Sequence, residues 1–297
     1  MNFLQRLFWP PNPETEPDNM SGNVEPGSIK VTNMNLCSLP PGLHIGKYSD
    51  LGQVRERNED SFYIVASTMN TNYGEEPFGI FIVADGMGGH EKGDIASSVA
   101  ANTTANALLT EIYLPILTNN HNTNSDRPIN EALVAAVEQA NVAVQKSAPE
   151  GGTTLTAAMV MGNSAYIAHI GDTRAYLFNK DGLKQITEDH SLAQRLKATG
   201  QATPEQIAQI ENVLYRAIGQ SSSIEVDTHF QYLPPGNSLL LCSDGLWKGI
   251  DDDGVIQETL NKTSSPQEAC EKLVAIANNN GGDDNITIII ISIGGEA

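Results

Sequence analysis

The sequence predicts an α+β fold: a four-layer α/β/β/α sandwich in which two antiparallel β-sheets stack face to face, helices cover them outside, and a flap stands apart. Three observations carry this. Residues 238–243 and 286–293 are apolar without interruption, so neither strand can have a wet face and each needs cover on both sides. Strand-length segments are joined by hairpin turns, as at Gly162-Asn163 and Asn179-Lys180-Asp181-Gly182. Amphipathic helical stretches offer one apolar face each, which a sheet can bury.

Taken in order, residues 1–41 hold seven of the fifteen prolines (Pro10, Pro11, Pro13, Pro17, Pro26, Pro40 and Pro41) and read as a disordered tail. Phe3, Leu4, Leu7, Phe8 and Trp9 within it leave a short docking element as the alternative. One domain is expected over 42–297. It begins with strands ending at Tyr48 and covering 61–66 and 79–84, the last closed by a turn at Asp85-Gly86-Met87-Gly88-Gly89. Helices follow over 94–114 and 126–147. The second places Ile129, Leu133, Ala136, Val137, Ala140 and Val144 on one face, with Asp126 as a cap ahead of Pro128. Strands are then expected at 154–161, 164–170, 174–178 and 183–187. A polar helical stretch over 189–219 is read as the flap, and a helix over 265–278 separates the two fully apolar strands. The pattern contains no internal repeat and no coiled coil.

Composition narrows the function classes. A chain of 297 residues that is 40% hydrophobic can fill a sizeable core. Its net charge of −19 repels polyphosphate, so nucleic acid is not expected as a partner. Cys37, Cys242 and Cys270 form neither a disulfide framework nor a zinc site. No run approaches the roughly 20 apolar residues of a transmembrane span, and no secretory signal is evident, so a cytoplasmic location is expected.

The chemistry lies in acids at strand ends. Asp60 precedes a strand, Asp85 follows Gly79–Ala84 in sequence, Asp244 follows the run at 238–243, and Asp284 precedes the last strand. A lone Asp-Gly is ordinarily a turn residue. The repetition beside fully apolar strands argues otherwise, because unpaired carboxylates there would be costly and only Arg55, Arg57 and Arg174 are near in sequence. Hard oxygen ligands without a His or Cys set favour Mg²⁺ or Mn²⁺ over zinc. Asp251-Asp252-Asp253-Gly254 lacks the first acidic position of an EF-hand and reads as a solvated turn.

These motifs resemble the PPM (protein phosphatase 2C) family of metal-dependent serine/threonine phosphatases in its bacterial form. In family order they are Arg55 with Asn58-Glu59-Asp60, Val83-Ala84-Asp85-Gly86-Met87-Gly88-Gly89-His90, Gly152-Thr153-Thr154, Gly171-Asp172-Thr173-Arg174, Asp189-His190, Cys242-Ser243-Asp244-Gly245-Leu246 and Asp284-Asn285-Ile286-Thr287. The resemblance implies two ions in a cleft at one sheet edge. Asp85 would bridge them, Gly86 would offer its carbonyl to one, and Asp244 with Asp284 would complete the other. Glu59 and Asp60 would act on the second ion or through its water shell. Some bacterial relatives use a third ion, which Asp172 and Asp244 would hold here; the alternative for Asp172 is a turn or a pair with Arg174.

Two divalent ions against Glu59, Asp85, Asp244 and Asp284 leave a near-neutral centre, so the substrate's dianion needs further positive charge. Arg55 is the expected phosphate-binding residue, since guanidinium grips phosphate in a bidentate way. No side-chain nucleophile is evident, which points to a water activated by the ions, with His90 as general acid to the leaving alkoxide. His190 is read as an ordering residue beside the flap. The expected partners are phosphorylated proteins, opposite a serine/threonine kinase, with the chain acting as a monomer. A silent binding module of the same fold and a calcium-binding structural domain are the competing readings, separated by turnover of an aryl phosphate with Mn²⁺.

Overall fold

The computed structural model describes residues 42–71, 74–88, 91–118, 127–200 and 203–294; the tail expected over 1–41, the cap expected at Asp126 and the general acid expected at His90 lie outside the described residues. The strands are β1 (Gly42–Asp50), β2 (Asp60–Thr71), β3 (Gly74–Met87), β4 (Gly152–Thr153), β5 (Leu155–Met161), β6 (Ser164–Ile170), β7 (Arg174–Asn179), β8 (Gly182–Gln185), β9 (Asp227–Tyr232), β10 (Ser238–Cys242) and β11 (Ile286–Gly294). They form two sheets, β1-β11-β10-β7-β8 and β2-β3-β5-β6-β9, with β4 added beside β3. Neighbouring strands run antiparallel throughout.

Side-chain parity along the strands explains the layers. In β3, Phe78, Ile80, Ile82 and Ala84 enter one apolar cluster, whereas Phe81 and Val83 enter another. In β11, Ile286, Ile288 and Ile290 face one way and Ile289, Ile291 and Ile293 the other. The cluster shared by both strands, with Ile167, Leu239 and Leu241, fills the space between the sheets. The two outer clusters lie under helices. Uniform hydrophobicity in these strands is therefore the signature of an inner layer with cover on both faces.

The helices are α1 (Glu91–Leu108), continued by a π-helical turn (Leu109–Tyr113) into α2 (Leu114–Leu117), then α3 (Ile129–Ser147), α4 (Leu192–Thr199), α5 (Pro204–Ala208), α6 (Asp244–Gly249), α7 (Asp253–Lys262) and α8 (Pro266–Asn279). α1 packs on β3 and α3, and α3 reaches β6; α8 covers β1 and β11 on the far side. On α3 the face expected from periodicity is the buried one: Leu133, Ala136, Val137, Ala140 and Val144 are all enclosed. Ser265 caps α8 by accepting from the Glu268 N–H at 3.2 Å.

Three local expectations are revised. Asp85-Gly86-Met87 is not a turn but the end of β3, because β4 pairs Gly86 with Thr153 and Met87 with Gly152 and so keeps the backbone extended. Residues 189–219 are helical only in α4 and α5; Thr203 opens α5 with a capping box to Gln206, and Pro204 takes the first helical position. Asp252 is a helix cap, its Oδ1 accepting from the Gly254 N–H at 2.8 Å to start α7.

Candidate active site and metal centre

Antiparallel pairing brings together acids that are far apart in sequence. β2 starts where β3 ends, so Asp60 lies directly opposite Asp85 in the register. In the facing sheet, β10 ends where β11 begins: the Ser243 N–H donates to the Thr287 carbonyl at 2.9 Å, which sets Asp244 beside Asp284 at that end. Asp172 lies in the turn from β6 to β7, after Gly171 at φ 110°, a conformation a side chain would strain. Glu59, Asp85, Gly86, Asp172, Asp244 and Asp284 line one cleft of about 230 Å³, with Arg55 at its edge. Asp60 is not among the lining residues; it sits behind them, its Oδ2 accepting from the Ser243 hydroxyl at 2.7 Å.

The backbone around these acids is clamped. The buried Asn285 side chain donates to the carbonyls of Leu51 and Arg57, both at 2.9 Å, and accepts from the Glu59 N–H at 2.8 Å. One amide thus fixes the loop that carries Arg55 and Glu59. Asp85 is held through its backbone by Thr154 Oγ1 at 3.1 Å and by the Thr153 hydroxyl at 2.8 Å. A Cβ at Gly86 would overlap the carbonyls of Gly93 and Glu59, so only glycine lets β3 and α1 approach this closely. The Trp247 indole donates to the Asp172 carbonyl at 3.1 Å, and His190 Nδ1 accepts from the Gly171 N–H at 3.1 Å. The ordering part expected of His190 therefore has a partner: the turn that presents Asp172.

Charge in the cleft is left incomplete by the protein. Enclosure, then the charges of Asp244, Asp60 and Asp172, holds the Asp85 carboxyl well above the usual carboxylate range. Enclosure likewise raises Asp60, against hydrogen bonds from Ser243 and Thr287, and raises Asp172, with Asp244 as its next cause. Asp60 Oδ1 and Asp244 Oδ1 are enclosed and have no hydrogen-bond partner. Two of the acids carry ion pairs among the described residues: Arg55 Nη2 binds Asp284 Oδ2 at 2.7 Å, and Lys248 Nζ binds Asp244 Oδ2 at 2.6 Å. Among the described residues, no three His, Cys, Asp or Glu side chains close around a single point as a ready ligand set. Orphaned carboxylate oxygens in a hard-oxygen cluster nonetheless fit divalent cations of the Mg²⁺ or Mn²⁺ type.

The residues named from sequence thus fall into three groups. Arg55, Glu59, Asp85, Gly86, Asp172, Asp244 and Asp284 meet at the cleft, Asp60 backs it, and His90 is outside the described residues. Lys248, Trp247 and Asn212 were not anticipated. The one signal for Lys248 was its spacing of four from Asp244, which on a helix makes the two neighbours.

Comparison with known proteins agrees with this geometry. A family model described as protein phosphatase 2C matches residues 56–278. The serine/threonine phosphatase Stp of Listeria innocua is 34% identical over 261 residues, covering 84% of this chain and 95% of that one. The crystal structure of the serine/threonine phosphatase PstP/Ppp of Mycobacterium tuberculosis superposes with a TM-score of 0.67 at 30% identity, over 85% of this chain and 99% of that one. A PstP catalytic domain solved in complex with two manganese ions gives 0.66 at 31% identity, over 85% and 98%. The chain is thus an enzyme, a phosphoprotein phosphatase, and it belongs to the protein phosphatase 2C family of bacterial serine/threonine phosphatases.

Proposed function

We propose that this chain removes phosphate from phosphoserine and phosphothreonine in signalling proteins, opposite a serine/threonine kinase, with a pair of Mn²⁺ or Mg²⁺ ions held by Asp85, the Gly86 carbonyl, Asp244, Asp284 and Glu59. The observation that carries this reading is the convergence of five acids on one cleft, with enclosed oxygens of Asp60 and Asp244 left unpaired. Two divalent ions at that place supply the positive charge that lowers the pKa of water towards neutrality and stabilises the in-line transition state.

The chain's own residues do the rest. Arg55 is half exposed at the cleft edge and spends one nitrogen on Asp284, leaving further N–H donors of its fork for phosphate oxygens. Asp60, anchored by Ser243 behind the lining acids, would accept hydrogen bonds from water held by the ions rather than from substrate. The departing serine or threonine oxygen takes a proton, and His90 is the proposed donor, its reference pKa lying near working pH. Residues 189–219 act as the flap that meets the substrate protein; their Asn212 and Leu214 already line the cleft.

The test is phosphate release from phosphopeptides with Mn²⁺, Mg²⁺ or Ca²⁺ and with chelator. Turnover should need Mn²⁺ or Mg²⁺, stop with chelator, and fall by about a hundredfold or more in Asp85→Asn. A variant that keeps over about a tenth of the rate at saturating Mn²⁺ would remove Asp85 from the centre.

A further inference from the structure

Helix α6 carries a cation of its own into the cleft. The Lys248 ammonium, one helical turn beyond Asp244, donates to Asp244 Oδ2 at 2.6 Å and to Asn212 Oδ1 at 2.7 Å. Its side chain is only 25% exposed. The neighbouring Trp247 binds the Asp172 carbonyl, so the same helix reaches both acids that could share an additional ion. Neither phosphate capture nor proton transfer uses this lysine. We infer that Lys248 is a built-in cation standing in for a third divalent ion between Asp172 and Asp244, so that this chain binds two ions and excludes a further one. The inference rests on the two-ion reading above.

Division of labour within one carboxylate supports it. Asp244 Oδ1 is enclosed and unpartnered, free for the ion pair, whereas Oδ2 is already taken by the ammonium. A further ion using Oδ2 would lie against a like charge fixed in place by Asn212. The position of that charge agrees. Lys248 already supplies one positive charge to the Asp244 side of the cleft, ahead of any ion that binds there. A lysine suits this task because its ammonium is a compact point charge on a flexible stem.

The test counts ions. Equilibrium dialysis of the full chain against Mn²⁺ should give about two ions per wild-type molecule. Lys248→Gln, which removes the charge but can still reach Asn212, and Lys248→Asp, which adds a carboxylate, should each take up one ion more, the second at lower Mn²⁺. The thermal midpoint in Mn²⁺ identifies the folded variants, and either one suffices. Three ions on the wild type, or no extra ion on a folded variant, would overturn this inference alone. No Mn²⁺ uptake by the wild type would overturn the two-ion reading and this inference with it.

Discussion

Asp172 and Arg174 stand two residues apart in one turn, and the protein treats them oppositely. The Arg174 guanidinium is engaged on every side. Nε and Nη2 bind the two oxygens of Asp189 at 2.9 and 2.7 Å, Nη1 reaches the Tyr176 hydroxyl at 3.0 Å, and the Trp247 ring covers its face with the centroid 3.5 Å away. The Asp172 carboxyl is enclosed too, yet no cation lies within ion-pair distance of it among the described residues, and burial holds it above the usual range. Buried charge that holds a fold together is thus supplied with partners by the chain. The buried carboxyl at the cleft has no ion pair of its own among the described residues, and that incompleteness marks the site.

Removing one member of the satisfied group should have the largest effect. Arg174→Met strands the Asp189 carboxylate and should cost about 3–5 kcal/mol of stability, read as a lower urea midpoint at unchanged slope. A loss under about 1 kcal/mol would mean that Arg174 behaves like a surface charge. In the unsatisfied group the sign should reverse. Asp172→Asn removes a buried carboxylate with no ion pair among the described residues, and should stabilise the metal-free protein at pH 8 by about 1–2 kcal/mol, or a few degrees in the midpoint. A destabilised metal-free Asp172→Asn would erase the contrast between the two residues.

His169 supplies the most gradual effect, spread over several pH units and only partly expressed between pH 7 and 5. It is fully buried, its Nε2–H donating to the Glu188 carbonyl at 2.9 Å and its Nδ1 accepting from the Thr156 hydroxyl at 2.9 Å, an arrangement that suits the neutral ring. Burial, then the neighbouring His190, pushes its pKa down to about 3. The unfolded chain takes up a proton below its ordinary value of about 6.5, and the folded chain does not. Stability from this group is therefore whole above pH 6.5 and falls on acidification towards pH 3, by about 1.4 kcal/mol per pH unit. Urea midpoints of the wild type and His169→Asn at pH 7, 6 and 5 check this: the gap between the two proteins should narrow as pH falls, and a constant gap would exclude His169.

Much of this was legible in the chain before its structure. Strands buried on both faces announce themselves by unbroken hydrophobicity, and the acids after or before such strands could be singled out because their surroundings offered them no partner. What escaped were features created by contact across the fold. β4 exists only because β3 lies beside it, and β9 shows alternating half-burial with Phe230 and Tyr232 exposed, too weak a pattern to stand out. Asn285 could be seen within a motif, but its grip on Leu51 and Arg57 spans more than 220 positions of sequence. Lys248 was one charged residue on a short helix, and its meaning depends on Asn212 arriving from another segment.

β11 is inserted between β1 and β10 in the middle of its sheet, and the residues just ahead of it supply both Asp284 and the Asn285 clamp. The residues on the two sides of the cleft, Arg55 and Glu59 on one and Asp284 on the other, are therefore made far apart in time as the chain is synthesised. Until that strand emerges, β1 lacks the strand it pairs with among the described residues, and the Arg55 loop lacks the Asn285 clamp. A chain stopped short of Asp284 and Asn285 would lack one wall of the cleft and the clamp on its neighbouring loop.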